Sequence, residues 1–321
     1  MSIRRIGVLT SGGDGPGMNA AIRAVVRYAW HMKLEVMGIS RGYAGLINGE
    51  IALLDHRAVS NIINRGGTIL KTARSEEFKT VKGQKRAVEL LKTHGIDGLV
   101  VIGGDGTYHG GKVLSQKWKI PCIGLPGTID NDINGTDSTI GYDTAINTAI
   151  DAIDKIRDTA TSMERIFVVE VMGRSSGAIA LQVALGSGAE DVIIPERKYD
   201  IAGMCHDIVE GNLRGKVSWI IVVAEGKAKA GDIAKQITDL TSLETRVAVL
   251  GHVQRGGNPT VRDRNLGARL GQKAVELLLE GKSGKAVGVI SDKINVVDFE
   301  EAIQKRKVNT NDLYNLIRVL T

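Results

Sequence analysis

The chain has few aromatics, few cysteines, few prolines and no long apolar run. Aromatic residues make up 4% of its 321 positions, so a core must rest on Val, Ile, Leu and Ala. No stacking aromatics interleave with the lysines, which argues against a nucleic-acid surface. The two cysteines, Cys122 and Cys205, make neither a metal nor a redox spacing, and a reducing compartment is expected. All five prolines, at 16, 121, 126, 195 and 259, sit beside strand-like runs, so no Pro-rich linker marks a domain boundary. No apolar stretch reaches the roughly 18 residues of a membrane span. The start, MSIRRIGVL, has no signal-peptide core or cleavage site. We therefore expect a soluble cytoplasmic protein that engages neither membrane nor nucleic acid. The formal charge of +6 is a modest excess. It is read as solvated helix faces such as Lys82–Lys92, and it also suits small anionic substrates.

What is abundant is glycine, 40 residues without collagen-like periodicity. Short runs rich in Val and Ile recur at Ile6–Leu9, Leu34–Ile39, Gly98–Ile102, Ile120–Leu125, Ile166–Val171, Asp191–Ile194, Trp219–Ala224, Val247–Leu250 and Ala286–Ile290. Helix-like stretches lie between many of them. Continuous apolar runs alternating with helices predict an α/β chain of largely parallel strands covered on both faces. The clearest helix is Gly141–Asp158, where Ile146, Ile150, Ile153 and Ile156 or Arg157 form one apolar stripe.

The glycines follow the strands. Ile6–Leu9 leads to TSGGDGPGMN, Gly98–Ile102 to GGDGT, Ile120–Leu125 to PGTIDND, Ile166–Val171 to MGRSSG and Val247–Leu250 to GHVQRGG. In an open α/β sheet, ligands bind outside the carboxyl ends of the strands. Any one such segment could be an ordinary turn, but five together predict convergence on one crevice.

Each segment has a chemistry. Gly12, Gly13, Gly15 and Gly17 before the helix Ala20–Tyr28 would bare backbone N–H groups at a helix N-terminus, which attracts phosphate; the alternative is a tight strand-to-helix turn. The segment is neither a P-loop nor GxGxxG. Asp105 among glycines could hold Mg²⁺ while neighbouring amides hold phosphate, and it could cap a helix at the same time. In PGTIDND, Asp130 and Asp132 at i and i+2 of an extended loop would point to opposite sides and do different jobs. One could accept a hydroxyl proton during phosphoryl transfer. Asp137 is read as a turn former. Arg174, Arg255 and His252 sit in strand-end loops, and Arg165 and Arg246 begin the strands before those loops. Arginine matches phosphate with a rigid fork of donors. The residues alone predict a Mg²⁺-dependent phosphoryl transferase acting on an anionic alcohol.

Taken in order, TSGGDGPGMNAAIR, GYAGL, NRGGT, KTARSEEF, VVIGGDGT, GLPGTIDNDINGTDSTIG, VEVMGRSSG, AEG and ETRVAVLGHVQRGG resemble the bacterial-type ATP-dependent 6-phosphofructokinases over nearly the whole chain. PGTIDND with MGR is highly specific. GGDGT alone also occurs in NAD kinases and lipid kinases, the alternative reading. The resemblance implies two similar α/β lobes with the active site in the crevice at the strand C-terminal ends. A larger ATP/Mg-binding domain would cover 1–140 and about 253–303, and a smaller sugar-phosphate domain 141–252 and about 304–321. It implies transfer of the ATP γ-phosphoryl to the 1-hydroxyl of fructose 6-phosphate, with Asp130 as base and Asp105 as Mg²⁺ ligand. Thr128 and Asp132 would support the reacting hydroxyl and metal. Gly13 would place its amide at the transferring phosphoryl, and Arg74 and Arg174 would neutralise it. Tyr43, Gly104, Gly106 and Thr107 would complete the nucleotide site. Arg165, Arg246, His252 and Arg255 would cradle the sugar phosphate, and Met172, Gly173 and Glu225 would touch the sugar.

In this family the residues matching Arg165 and Arg246 reach in from a neighbouring subunit, which implies a homotetramer with shared active sites. A pyrophosphate-using branch typically carries Asp at the position of Gly106 and Lys at that of Gly127, so both glycines imply ATP as donor. The resemblance also implies an effector site for ADP or phosphoenolpyruvate between subunits, formed by Arg23, Arg27, His56, Arg157, Glu190, Arg214, Gly215 and Lys216. His56, Asn61 and Arg214 depart from the residues common there. Arg23 and Arg27, four apart on one helix face, could instead simply be solvated.

Overall fold

The computed structural model describes residues 3–306 and 310–321. The strands in chain order are β1 (Arg5–Ser11), β2 (Glu35–Ile39), β3 (Ile51–Leu53), β4 (Gly98–Gly103), β5 (Cys122–Pro126), β6 (Ile166–Val171), β7 (Asp191–Ile193), β8 (Trp219–Ala224), β9 (Thr245–Val249), β10 (Lys285–Ile290) and β11 (Lys293–Asp298). The helices are α1 (Met18–His31), α2 (Gly42–Asn48), α3 (Val81–Thr93), α4 (Asp105–Gln116), α5 (Tyr142–Ser162), α6 (Ala178–Ser187), α7 (Ile201–Leu213), α8 (Ala230–Thr241), α9 (Val261–Leu279), α10 (Phe299–Ala302) and α11 (Asn311–Leu320). The chain forms two compact units, one of residues 1–144 and 255–307, the other of 145–254 and 308–321.

The first unit holds a sheet of order β11-β10-β5-β4-β1-β2-β3, with its five central strands parallel and both outer strands antiparallel. Alternate residues of the parallel strands enter two different cores. Ile6, Val8, Val100, Ile102, Ile123 and Leu125 pack with Ile22 and Val25 of α1 and Leu270 and Ala274 of α9. Leu9, Ile39, Leu99, Val101 and Cys122 pack on the opposite face with Leu46 of α2, Leu91 of α3 and Leu114 of α4. Burial on both faces explains why these strands read as unbroken apolar runs. The two outer strands escaped the sequence reading for the same reason. β11, KINVVD, is an edge strand whose residues range from half-buried to exposed, and β3 is three residues long. Both cysteines are free and buried. As expected for a lysine-rich helix, α3 buries Ala87, Val88 and Leu91 and turns Lys82, Lys85 and Lys92 to solvent.

Two glycines of α9 set the helix–helix contact in this unit. A Cβ at Gly267 would lie 3.0 Å from the Ala21 nitrogen, and one at Gly271 would lie 2.9 Å from the Ala21 carbonyl. Backbone meets backbone there, so α1 and α9 close on each other only without those side chains.

The second unit holds an all-parallel sheet of order β7-β8-β6-β9. Helix α5 runs past the expected end, to Ser162. Its fully buried positions are Ala145, Ala149, Ile153 and Ala160, whereas Ile146, Ile150 and Ile156 are half-buried. Three of the four isoleucines therefore mark the margin of the buried face, and Ile153 with the alanines forms its centre. Ile150 fits against Gly186, where a Cβ would come within 2.8 Å of it.

β9 is the edge of this sheet. It leaves Val247 and Val249 exposed, and Val253 just beyond it is exposed too. No helix among the described residues is long and apolar enough to cross a membrane.

Candidate active site

Sheet register brings three of the glycine loops together. Ser11 of β1 pairs with Gly103 of β4, and Gly103 pairs with Pro126 of β5. TSGGDG, GGDGT and PGTIDND therefore leave adjacent strands at one level of the sheet. β1 leads through α1 to one side of the sheet and β4 through α4 to the other. The gap between β1 and β4 is thus a topological switch point, the place where open α/β sheets bind ligands.

The loops are cross-tied. Thr107 donates its hydroxyl to the Ser11 carbonyl at 3.0 Å, and Thr72 donates to the Gly12 carbonyl at 2.6 Å. The Thr72 contact draws the KTAR segment, and with it exposed Arg74, alongside the first loop. Gly12 has φ 86°, in the left-handed region that favours glycine. Asn19 donates to the carbonyls of Arg65 and Gly66 and accepts from Ile69, holding the NRGGT turn under α1. That turn meets a second glycine loop, for a Cβ at Gly66 would lie 2.3 Å from the Gly257 carbonyl.

Asp105 is exposed at the first turn of α4, and its carboxylate accepts from the Gly106 amide at 2.5 Å. Its neighbours differ in what surrounds them. A Cβ on Gly106 would meet nothing within 4 Å, whereas one on Gly127 would lie 2.9 Å from both Ile102 and Met18. Packing thus gives Gly127 a local reason of its own, and its value as a sign of donor choice falls; Gly106 has no such local reason. Tyr43 is buried, stacks on Phe78 at 4.2 Å, and donates its hydroxyl to the Thr107 carbonyl at 2.7 Å. It braces the start of α4 from within the core, and burial pushes its phenol pKa well up.

Asp130 is 2% exposed and Asp132 half-buried. The extended-loop argument for their separation fails, because Asn131 between them is left-handed at φ 49°. Their environments differ all the same. Thr128 accepts from the Asp130 amide at 3.2 Å, and Thr139 donates to the Thr128 carbonyl at 2.5 Å. The Asp137 carboxylate does more than the local turn expected of it: it accepts from the Ser291 amide at 2.7 Å, far off in the chain between β10 and β11.

Arg255 lies against the first loop. It donates to the Asp14 carbonyl at 3.1 Å, and its Nη1 is 2.8 Å from where a Cβ on Gly13 would be. His252 is exposed.

In the second unit, register likewise gathers strand ends. Val171 of β6 pairs with Ala224 of β8, and Glu170 with Val249 of β9. Gly173 and Arg174 have φ 141° and 51°; the two positive angles, strained only at the arginine, turn the MGR loop sharply, and Arg174 is exposed. The Arg174 amide donates to Glu225 at 3.1 Å. A Cβ at Gly226 would lie 1.6 Å from the Arg174 carbonyl, so AEG needs its glycine for this approach. Met172 is held by Gln254, which accepts from its amide at 2.8 Å and donates to the Ala145 carbonyl at 3.4 Å. Arg165 and Arg246 both pair with Glu244, and that pairing holds the Glu244 carboxyl below its usual range.

The residues assigned to an effector fall into two groups. In the first unit Arg27 donates to Ser60 at 3.2 Å, His56 stacks on Trp30 at 4.8 Å, and Arg23 is half-buried nearby on α1. In the second, buried Glu190 lies 3.3 Å from Arg157 and 3.5 Å from Lys216. Arg214 pairs with Glu210, and Gly215 has φ 90°.

Sequence reasoning missed several buried polar residues. Asp263 is fully buried and accepts from the Gly141 amide and from the Thr144 amide and hydroxyl, at 2.9, 2.9 and 2.6 Å. Desolvation raises its pKa despite those bonds. Gln254 and Asn19 were visible only as letters inside motifs. Nothing local in the sequence announces their partners.

A strand-end row of amide loops with an exposed carboxylate at a helix start is what a phosphoryl-transfer protein presents to its donor. The family model described as Phosphofructokinase matches residues 5–278. The chain is 54% identical over 319 residues to the ATP-dependent 6-phosphofructokinase of Clostridium botulinum, covering 99% of this chain and 100% of that one. It is 57% identical over 319 residues to the enzyme of that name from Bacillus cytotoxicus, with the same coverage. Among solved structures it is similar to the phosphofructokinase of Saccharomyces cerevisiae, at TM-score 0.88 and 35% identity, covering 99% of this chain and 47% of that one. A pyrophosphate-dependent phosphofructokinase from Marinobacter aquaeolei shares the fold at TM-score 0.81 and 21% identity, covering 98% of this chain and 91% of that one. The chain belongs to the phosphofructokinase family.

Proposed function

We propose that the chain is a glycolytic kinase that transfers the γ-phosphoryl of ATP to the 1-hydroxyl of fructose 6-phosphate, giving fructose 1,6-bisphosphate and ADP. The observation that carries this reading is the alignment of Ser11, Gly103 and Pro126, which gathers the three loops at one switch point. Mg²⁺ fits the donor chemistry there. The exposed carboxylate of Asp105 stands at a helix N-terminus, and magnesium takes one or two protein carboxylates and completes its shell with phosphate oxygens and water. When bound, the ion supplies positive charge to the phosphate oxygens. Gly13 and Gly104 offer backbone beside those oxygens, Thr107 orients the turn, and Arg74 and Arg174 neutralise the phosphoryl. The open space at Gly106 supports ATP over pyrophosphate, because it leaves room for the rest of a nucleotide.

Asp130 accepts the proton of the sugar hydroxyl, with Thr128 and Asp132 supporting it. Met172, Gly173 and Glu225 contact the sugar. Arg165, Arg246, His252 and Arg255 bind its phosphate. Two facts support a shared assembly, a homotetramer in this reading: β9 is an edge strand with exposed valines, and it carries Arg246. Arg23, Arg27, His56, Arg157, Glu190, Arg214, Gly215 and Lys216 form an effector site for ADP or phosphoenolpyruvate. A cytoplasmic location belongs to the same reading.

One coupled assay tests the reaction. Purified protein with Mg²⁺ is given fructose 6-phosphate and either ATP or pyrophosphate, with and without ADP and phosphoenolpyruvate. Turnover with ATP that stops on chelation is expected. Absence of product across a range of sugar phosphates would remove the reading, and sedimentation analysis tests the tetramer.

A further inference from the structure

We propose that Arg306, outside every motif of the chain, is a positioning residue for phosphoryl transfer. The inference rests on Asp130 being the base. Arg306 Nη1 donates to the Asn131 carbonyl at 3.0 Å, and Nη2 donates to the Asp137 carbonyl at 3.2 Å. One planar fork thus spans the two limbs of the 130–137 loop. The Asn131 side chain donates to the same Asp137 carbonyl at 3.1 Å.

The two limbs of the loop have other anchors. The incoming limb follows β5, and Thr128 ties it to Thr139. The outgoing limb is tied to β10, with the Asp137 amide donating to Val289 at 2.7 Å. The turn between them leaves the extended backbone of the two limbs. Asn131 is left-handed, 3% exposed, and lies between the two aspartates, so its peptide direction sets where both carboxylates point. Arg306 grips that peptide by its carbonyl.

The guanidinium is partly desolvated in this position, which lowers its pKa, and the carboxylates of Asp132 and Asp137 and the phenol of Tyr142 oppose the shift. An arginine near the end of a unit could lie in water. This one gives up hydration and holds the turn that carries the base. Its effect should therefore fall on turnover, because misplacing a catalytic group by about 1 Å can cost on the order of a hundredfold.

The test compares the parent with Arg306→Met, Arg306→Lys, Asp130→Asn and the double variant Arg306→Met/Asp130→Asn. Each is assayed by steady-state kinetics with ATP and fructose 6-phosphate, with folding checked by circular dichroism and thermal melts. Arg306→Met should lower kcat by about tenfold or more, with both KM values within about twofold. Arg306→Lys should recover part of the loss, since an ammonium replaces the charge but not the two-carbonyl fork. On the Asp130→Asn background, removing Arg306 should cost less than about twofold further, the non-additivity expected of groups that act as a unit. A folded Arg306→Met enzyme with parental kcat, beside a crippled Asp130→Asn, overturns the role of Arg306 and leaves the base standing. Fully additive losses also overturn it. Parental turnover in Asp130→Asn removes the base itself and the inference with it. If the Met variant does not fold, Arg306→Lys decides alone, and parental kcat there counts against the fork.

Discussion

The two units present their functional residues in opposite ways. In the first, the donor loops are backbone, braced from below by Thr107, Tyr43 and Asn19 and fixed by strand register. In the second, two arginines assigned to the acceptor, Arg165 ahead of β6 and Arg246 on the edge strand β9, share the carboxylate of Glu244. Amides held by a sheet are already oriented and carry no counter-ion. Arginines already paired with a carboxylate must exchange one anion for another. On the proposed assignment, donor recognition is mainly geometric and acceptor recognition mainly electrostatic.

The largest test of this contrast is Asp130→Asn, which should cut kcat by at least about two orders of magnitude with both KM values kept. Unchanged turnover in stopped assays would take the base away from the first unit. Next, Arg246→Ala should raise the KM for fructose 6-phosphate by roughly tenfold or more, the weight of a charged hydrogen bond, and leave the KM for ATP alone. Added salt should weaken sugar-phosphate binding more than it weakens nucleotide binding. A matching rise for ATP would erase the distinction.

A finer test lies within the donor loops. Gly106→Asp, placed in open space, should leave the melting temperature near parental and lower kcat/KM for ATP by roughly tenfold through charge repulsion. Gly127→Ala should cost about 1–3 kcal/mol of stability through its contacts with Ile102 and Met18. If the two substitutions exchange these outcomes in melting and kinetic assays, the structural reading of the two glycines is wrong.

The last effect, on stability alone, concerns Asp263. Asn in its place turns an amide N–H toward backbone donors and should cost about 1–3 kcal/mol near neutral pH by chemical denaturation. Its folded pKa is raised by burial, so its proton-linked stabilisation is full below the unfolded value of about 3.9 and is lost as pH rises through the folded pKa. The advantage of the parent over Asp263→Asn should therefore narrow upward through that window.

Much of this was legible in the sequence because parallel strands buried on both faces write themselves as apolar runs. Each of the nine runs became a strand, and the loops stand at their ends. β3 and β11 were not legible, since an antiparallel edge strand needs no such run. The isoleucines of α5 pointed to the right helix and, Ile153 apart, to the wrong centre of its face, because Ala145 and Ala149 signal nothing by themselves. Asp130 and Asp105 carry a local motif. Gln254, Asp263 and Arg306 do not; their partners lie far off in the chain, and only the fold supplies them. Gly127 shows the reverse hazard, a motif position with a packing reason that the motif does not reveal.

The order of the chain bears on its synthesis. β10 and α9 belong to the first unit but are made after most of the second, and α11 belongs to the second unit but follows all of the first. Neither unit can complete its contacts while residues beyond 254 remain in the ribosome. The nascent chain must carry an open sheet edge at β5 and a bare face on α1 through the whole second unit. Such surfaces invite aggregation, and chains of long-range contact close slowly. A chain with this connectivity leaves aggregation-prone surface open during translation, whatever the stability of the fold it reaches.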